Sequence, residues 1–167
     1  MQEVQAEKAL GRKFPEQVVL VSSYSPDGRA NSMAAGWSMI ASGTPLYYAV
    51  AIARGHFTVE CIEGRGAFVV SFPSTEQSEP MLFCGTKSGR SVDKEAESGF
   101  VFRRARLVDA PLIEGAVVNL ECRLVHKYEA GDHHIVVGEV VAAHVEAGAR
   151  RLYNFGDGVF GAAVRAD

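Results

Sequence analysis

The stretch Ala53-Arg54-Gly55-His56-Phe57-Thr58 sets a cation, an imidazole and a hydroxyl where an apolar, strand-like run passes into a helix-like one. The first turn of a helix leaves backbone N–H groups unpaired and carries a partial positive charge, so such a junction suits a phosphate. On these residues alone, a capped helix with a solvated arginine is an equal reading.

Other spacings promise less. Gly156-Asp157-Gly158-Val159-Phe160-Gly161 has the spacing G-x-G-x-x-G. A dinucleotide fingerprint needs a helix behind it and an acidic residue about 20 positions on. Only Ala162 to Asp167 follow here, so a glycine-rich turn or strand is expected. Ser91-Val92-Asp93-Lys94 matches the S-x-x-K of serine acyl-transfer enzymes without its companion motifs, and a helix start accounts for it better. Neither G-x-S-x-G nor H-E-x-x-H occurs, which weakens hydrolase readings. His133 and His134 are adjacent, so on a strand they face opposite sides and do not share one metal. Cys61, Cys84 and Cys122 form no C-x-x-C pair, neither a zinc spacing nor a disulfide framework.

Composition sets the frame for these residues. With 167 residues, 47% hydrophobic and 22% charged, the chain reads as one soluble globular domain over 1–167. That length leaves no room for separate cofactor and substrate domains. Lys and Arg number 17 against 20 Asp and Glu, a net charge of −3, and Arg103, Arg104 and Arg106 are the densest basic group. Nucleic acid is therefore not an expected partner. The polar start Met1-Gln-Glu-Val-Gln-Ala-Glu-Lys lacks a signal-peptide core, and no apolar run reaches the ~18 residues of a membrane span. A cytoplasmic protein without membrane contact is expected.

The positioning elements are mostly strands. Gln17 to Tyr24 reads as a strand, closed by the turn Ser25-Pro26-Asp27-Gly28. Arg29 to Ser42, rich in small residues, reads as one long strand, and Leu46 to Ala53 as the next. Gly55 to Gly64 has helical spacing, Ala67 to Phe72 is a buried strand, and Ser74-Thr75-Glu76-Gln77 has capping-box spacing. Cys84 to Gly99 reads as a loop with a short helix near Asp93–Glu97. Val118, Leu120, Cys122 and Leu124 alternate with Asn119, Glu121 and Arg123, a strand with one wet face. His134 to Val145 returns beside it, and Leu152 to Val164 adds one more strand. At least six strands with short helices predict an antiparallel barrel.

Four blocks together resemble the flavin reductase-like, FMN-binding split-barrel family, which includes flavoredoxins, ferric reductases and reductase components of two-component monooxygenases. They are Asp27-Gly28-Arg29-Ala30-Asn31 leading to Trp37-Ser38; Arg54 to Thr58; Cys84-Gly85 with Ser88 to Lys94; and Gly131-Asp132-His133-His134 leading to Gly138-Glu139-Val140. The resemblance spans about residues 17–145, with a C-terminal extension near 150–164. It implies a mainly β fold, a six-stranded antiparallel Greek-key split barrel, working as a homodimer with FMN or FAD near the interface. By position, Asn31, Trp37, Ser38, Ala51 and Ile52 would line the flavin ring or ribityl chain. Arg54, His56 and Thr58 would hold the phosphate, with Ser88 and Lys94 as weaker candidates, and Phe57 would be a further cofactor-binding residue. Cys84 and Gly85 would lie near the isoalloxazine, and His133 near the nicotinamide.

The activity so implied is NAD(P)H-dependent flavin reduction; the alternative is a flavoredoxin-type electron carrier or flavin-binding module that serves a protein partner without using NAD(P)H. A monooxygenase or other redox protein could then receive the electrons. Flavin chemistry needs no protein nucleophile, which fits the missing triad. The chain departs from the family at Gly43-Thr44-Pro45, where relatives carry Asp-Pro-Pro, a difference that falls in a turn.

Overall fold

The structure is a computed structural model and describes residues 1–164. A short exposed helix, α1 (Ala6–Leu10), precedes β1 (Glu16–Gln17), β2 (Val19–Tyr24), β3 (Ala30–Ala35), β4 (Ser38–Gly43) and β5 (Leu46–Ala53). Helix α2 (Phe57–Arg65), β6 (Ala67–Phe72), α3 (Ser78–Thr86) and α4 (Lys94–Glu97) follow. The chain then runs through β7 (Phe102–Arg104), β8 (Pro111–Ile113), β9 (Val118–Ala130), β10 (His133–Val145), β11 (Leu152–Gly156) and β12 (Val159–Ala162).

Seven strands pair in the order β3-β2-β6-β9-β10-β5-β4, every neighbour antiparallel. Strands β3 and β4 stand at opposite ends of that order, yet only Gly36-Trp37 separates them in the chain. The long strand expected from Arg29 to Ser42 is therefore bent at Gly36-Trp37, and its halves pair with different neighbours. Trp37 also accepts a hydrogen bond from the Ala51 N–H at 2.8 Å, which fastens the bend to β5. Bending one strand across both edges turns an open sheet into a barrel and removes its free edges. Counted once, the bent strand makes this the six-stranded barrel the resemblance implied.

Inside lie Val19, Val21, Val50, Ile52, Phe68, Val70, Cys122 and Val136, with Val59 and Ile62 of α2 packed against them. Strand β10 passes so close to this core that a Cβ on Gly138 would stand 2.5 Å from Phe68 Cζ. Glycine is required there by contact, beside a register shift at Val137/Gly138.

Three expectations are corrected. The first is the wet face of β9: Asn119 and Glu121 are 6% and 0% exposed. Strand β8 and the segment joining β7 to β8 fold over that face. Asn119 exchanges hydrogen bonds with both backbone groups of Ile113, and Glu121 accepts from the N–H groups of Arg106 and Leu107. The second is the C-terminus, which makes a hairpin and not one strand. Its turn, Gly156-Asp157-Gly158, has φ of 92°, 51° and 76°, a left-handed path that favours glycine. With β1 it forms a separate sheet, β1-β11-β12. The third concerns Cys84 and Gly85. The capping box at Ser74/Gln77 does form, and the helical run it starts continues as α3 to Thr86, so both residues lie on a helix instead of in a loop. The short helix near Asp93–Glu97 is present as α4, capped by the Asp93 side chain on the N–H groups of Glu95 and Ala96.

All three thiols are free and buried. Burial pushes Cys61 up to about 11 and Cys122 up to about 12. Cys84 is also raised, again by burial, with Lys94 and Ser98 opposing. Among the described residues no helix is long and apolar enough to cross a membrane.

Candidate functional site

Gly55, at φ 83°, turns the chain out of β5 and into α2. His56 caps that helix with extended backbone and no side-chain hydrogen bond, so no side chain claims the first amides. The turn borders a cavity of about 350 Å³ whose walls are β3, the start of α2, the end of α3 and the loop before α4. Asn31 Nδ2 donates to Thr58 Oγ1 at 2.9 Å and ties β3 to the helix start. The loop lies close above: a Cβ on Gly89 would stand 2.2 Å from Asn31 Oδ1 and 3.2 Å from the Phe57 ring. Arg90 covers Phe57 at 4.7 Å from the ring centroid and pairs with Glu60 at 2.8 Å. Thus Asn31, His56, Phe57, Thr58, Cys84, Gly85 and Ser88, scattered through the sequence, share one wall.

Lys94 joins them and is only 2% exposed. Its Nζ donates to Ser32 O at 3.0 Å and Cys84 O at 2.8 Å, joining β3 to α3. No carboxylate among the described residues pairs with it. Burial pushes its ammonium down, with the neighbouring Cys84 opposing. A buried cation without a counter-charge is costly unless something anionic joins it. Here that place is a cavity bordered by a helix N-terminus.

A second cavity of about 300 Å³ shares Met33, Ala34 and His56 with the first. Trp37, Ala51 and His133 lie on it, so the bend that closes the barrel also forms this wall. The Trp37 and His133 rings are 4.8 Å apart, and Asp132 Oδ1 bonds His133 Nδ1 at 2.6 Å. That contact with His133 holds the Asp132 carboxyl below its usual range. Trp37 is 55% exposed, so it is not a core residue. Ser38 sits just beyond, its Oγ 3.0 Å from both Gln17 Nε2 and Tyr48 OH. It borders an apolar hollow with Trp37, Met39, Ala49, Ala51 and Ile135.

Two expected site residues stand elsewhere. Ile52 is 1% exposed and packs in the barrel core, because neighbours on a strand face opposite sides and Ala51 and Ala53 take the cavity side. Arg54 borders neither cavity; its guanidinium reaches across to Glu129 at 3.1 Å. Conversely, Met33, Lys87, Glu16 and Asn154 line the cavities and had not been foreseen. For Met33 the signal was present: it lies on the same strand as Asn31, two residues on.

Comparison with known proteins settles the family. Residues 10–163 match the flavin reductase like domain. The chain belongs to that family. A flavin reductase of Pseudomonas putida is 35% identical over 159 residues, 93% of this flavin reductase-like chain and 89% of that protein. The FMN-binding protein from Thermus thermophilus, solved with bound p-hydroxybenzaldehyde, superposes with a TM-score of 0.86 at 25% identity, covering 100% of both chains. Flavoredoxin from Methanosarcina acetivorans gives 0.85 at 28% identity, over 100% of this chain and 93% of its own. The mainly β architecture is therefore that of the flavoredoxin-like, FMN-binding barrels.

Proposed function

We propose that this protein binds FMN across the two joined cavities and works as an NAD(P)H:flavin oxidoreductase. The observation that carries the reading is Lys94, a buried ammonium without a carboxylate partner, set in a cavity beside the open first turn of α2. The residues fit a flavin phosphate. The α2 amides, Thr58, Ser88 and the Lys94 charge are the donors an anion needs. Gly89 keeps the loop close to Asn31, and Ala51, Ala34 and Gly85 leave room for a flat ring system in the adjoining space.

A flavin held there by these residues would supply the hydride-accepting chemistry for a dihydronicotinamide donor. The chain's own residues supply orientation and exclusion of water. Trp37 and His133 form an aromatic wall against which a planar ring can stack. Asp132 fixes the imidazole by its bond to Nδ1, so Nε2 is the nitrogen left for a ligand. FAD would use the same phosphate contacts, with its adenosine outside the first cavity.

The working unit we propose is a homodimer. Trp37, Met39, Ile40 and Leu46 are exposed at 55%, 59%, 69% and 42% on β4, the bend before it and the start of β5. A second copy on that face would bury them and cover the second cavity's rim. The buried, unpaired thiols accord with a reducing, cytoplasmic setting. The flavoredoxin likeness supports a second reading, an electron carrier serving a protein such as a monooxygenase.

The test is the visible spectrum of FMN-loaded protein under anaerobic conditions. NADH or NADPH should bleach the flavin band within turnover times. Bound flavin that only a protein donor bleaches would select the carrier reading, and no flavin binding at all would refute both.

A further inference from the structure

The second cavity has one polar corner that lies outside the barrel. Glu16 of β1 and Asn154 of β11 both line it, and they are direct cross-strand partners in the small C-terminal sheet. Side chains so paired stand about 5 Å apart on one face. Each has one end already engaged. Glu16 Oε1 takes the Lys13 ammonium at 2.6 Å, while Oε2 has no hydrogen-bond partner among the described residues. Asn154 Oδ1 accepts from the Gly156 N–H at 2.9 Å, which fixes the amide's orientation and leaves Nδ2 without an acceptor among the described residues. The corner thus offers a carboxylate acceptor next to an amide donor. The other walls are Trp37, Met33, alanines and Gly36, with the imidazoles of His56 and His133 opposite.

We propose that Glu16 and Asn154 form a recognition pair for a primary carboxamide, that of the hydride donor's nicotinamide. A carboxamide carries an N–H donor and a C=O acceptor side by side, complementary to Glu16 Oε2 and Asn154 Nδ2. A nicotinate carboxylate in its place would meet the Glu16 charge and lose a donor. The proposal rests on the nicotinamide-using reading above. The short sheet appended to the barrel places these two polar side chains on the second cavity, among Trp37, Met33, small residues and two imidazoles. The flavin's own pyrimidine edge has the same donor–acceptor chemistry, so the test must separate the two ligands.

FMN-loaded protein is titrated calorimetrically with NAD⁺ and with nicotinic acid adenine dinucleotide, and FMN affinity is measured separately. Wild type should favour the carboxamide by about tenfold, since loss of a hydrogen bond to a charged group has that weight. Glu16→Gln should narrow the preference to about twofold, because its amide can face either ligand. Asn154→Asp keeps the bond from Gly156 and should weaken NAD⁺ about tenfold, by repelling the carbonyl. FMN affinity should change less than dinucleotide preference in either variant.

Three results would overturn the proposal. In the first, the wild-type protein oxidises NADH yet shows no carboxamide preference, and the functional reading survives. In the second, the variants lose FMN affinity with dinucleotide preference intact, which assigns the pair to the flavin. In the third, FMN-loaded wild type neither binds dinucleotide nor oxidises NAD(P)H, and the proposal falls together with the nicotinamide-using reading.

Discussion

Lys94 has two loyalties. Two of its three donors hold β3 to α3, yet its charge has no counterpart in the protein. Lys94→Met removes a costly buried charge but also the donors to the Ser32 and Cys84 carbonyls. The flavin-free protein should therefore change little in stability, while the FMN dissociation constant rises at least about tenfold. Chemical denaturation and fluorescence titration read the two effects separately. Since burial lowers the Lys94 pKa, folding favours proton release from it; a phosphate reverses this, and FMN binding should take up protons at alkaline pH. Calorimetry in buffers of different ionisation enthalpy measures that uptake, which Lys94→Met should abolish. The sequence marks Lys94 as a weaker phosphate candidate than Arg54; the structure sets Lys94 on the cavity and Arg54 against Glu129. Nothing local announces that one lysine is buried or that Glu129 engages the arginine, as both depend on strand pairing. The Ile52 error is different in kind: period-two alternation already forbids Ala51 and Ile52 from sharing a face.

Among the elements, the loop before α4 and the hairpin over β9 have opposite requirements. The loop must lie close to Asn31, so Gly89→Ala should displace it and weaken FMN binding severalfold while the barrel's thermal transition stays in place. The hairpin is anchored by Glu121. Burial alone would raise that carboxyl, but bonds from His144, Leu107 and Arg106 outweigh it and hold the pKa below the ordinary glutamate range. A depressed carboxyl stabilises the fold fully above its unfolded pKa, and the contribution fades as pH falls through the folded one. Glu121→Gln should thus lower stability by about 2 kcal/mol at neutral pH and flatten the acid limb of a urea-denaturation series. Strand β9 was legible from alternation. The cover on Asn119 and Glu121 was not, because a solvent-facing polar position and one roofed by a distant hairpin have the same local pattern.

At the scale of the whole molecule, the barrel's closure and its outward face share residues 36–40. The same bend that joins both sheet edges leaves Trp37, Met39 and Ile40 uncovered. Ile40→Asp should convert the proposed dimer to a monomer in sedimentation experiments and loosen flavin retention, without unfolding the barrel. The barrel class was readable from strand count and from the four family blocks; the small sheet was not, since Glu16 and Asn154 meet only through the fold.

The buried thiols have a chemical consequence. Attack on peroxide or on a disulfide requires a thiolate, and Cys61 and Cys122 titrate near 11 and 12 behind closed walls. Neither Cys61 nor Cys122 thus offers a sulfur relay by which electrons could leave sideways, or an easy thiol target for the peroxide that oxygen-exposed flavoproteins make. Native protein should show no fast-reacting thiol toward an aromatic disulfide reagent, and all three should appear once it is unfolded. In the proposed redox role, the Cys61 and Cys122 sulfurs stay out of the chemistry.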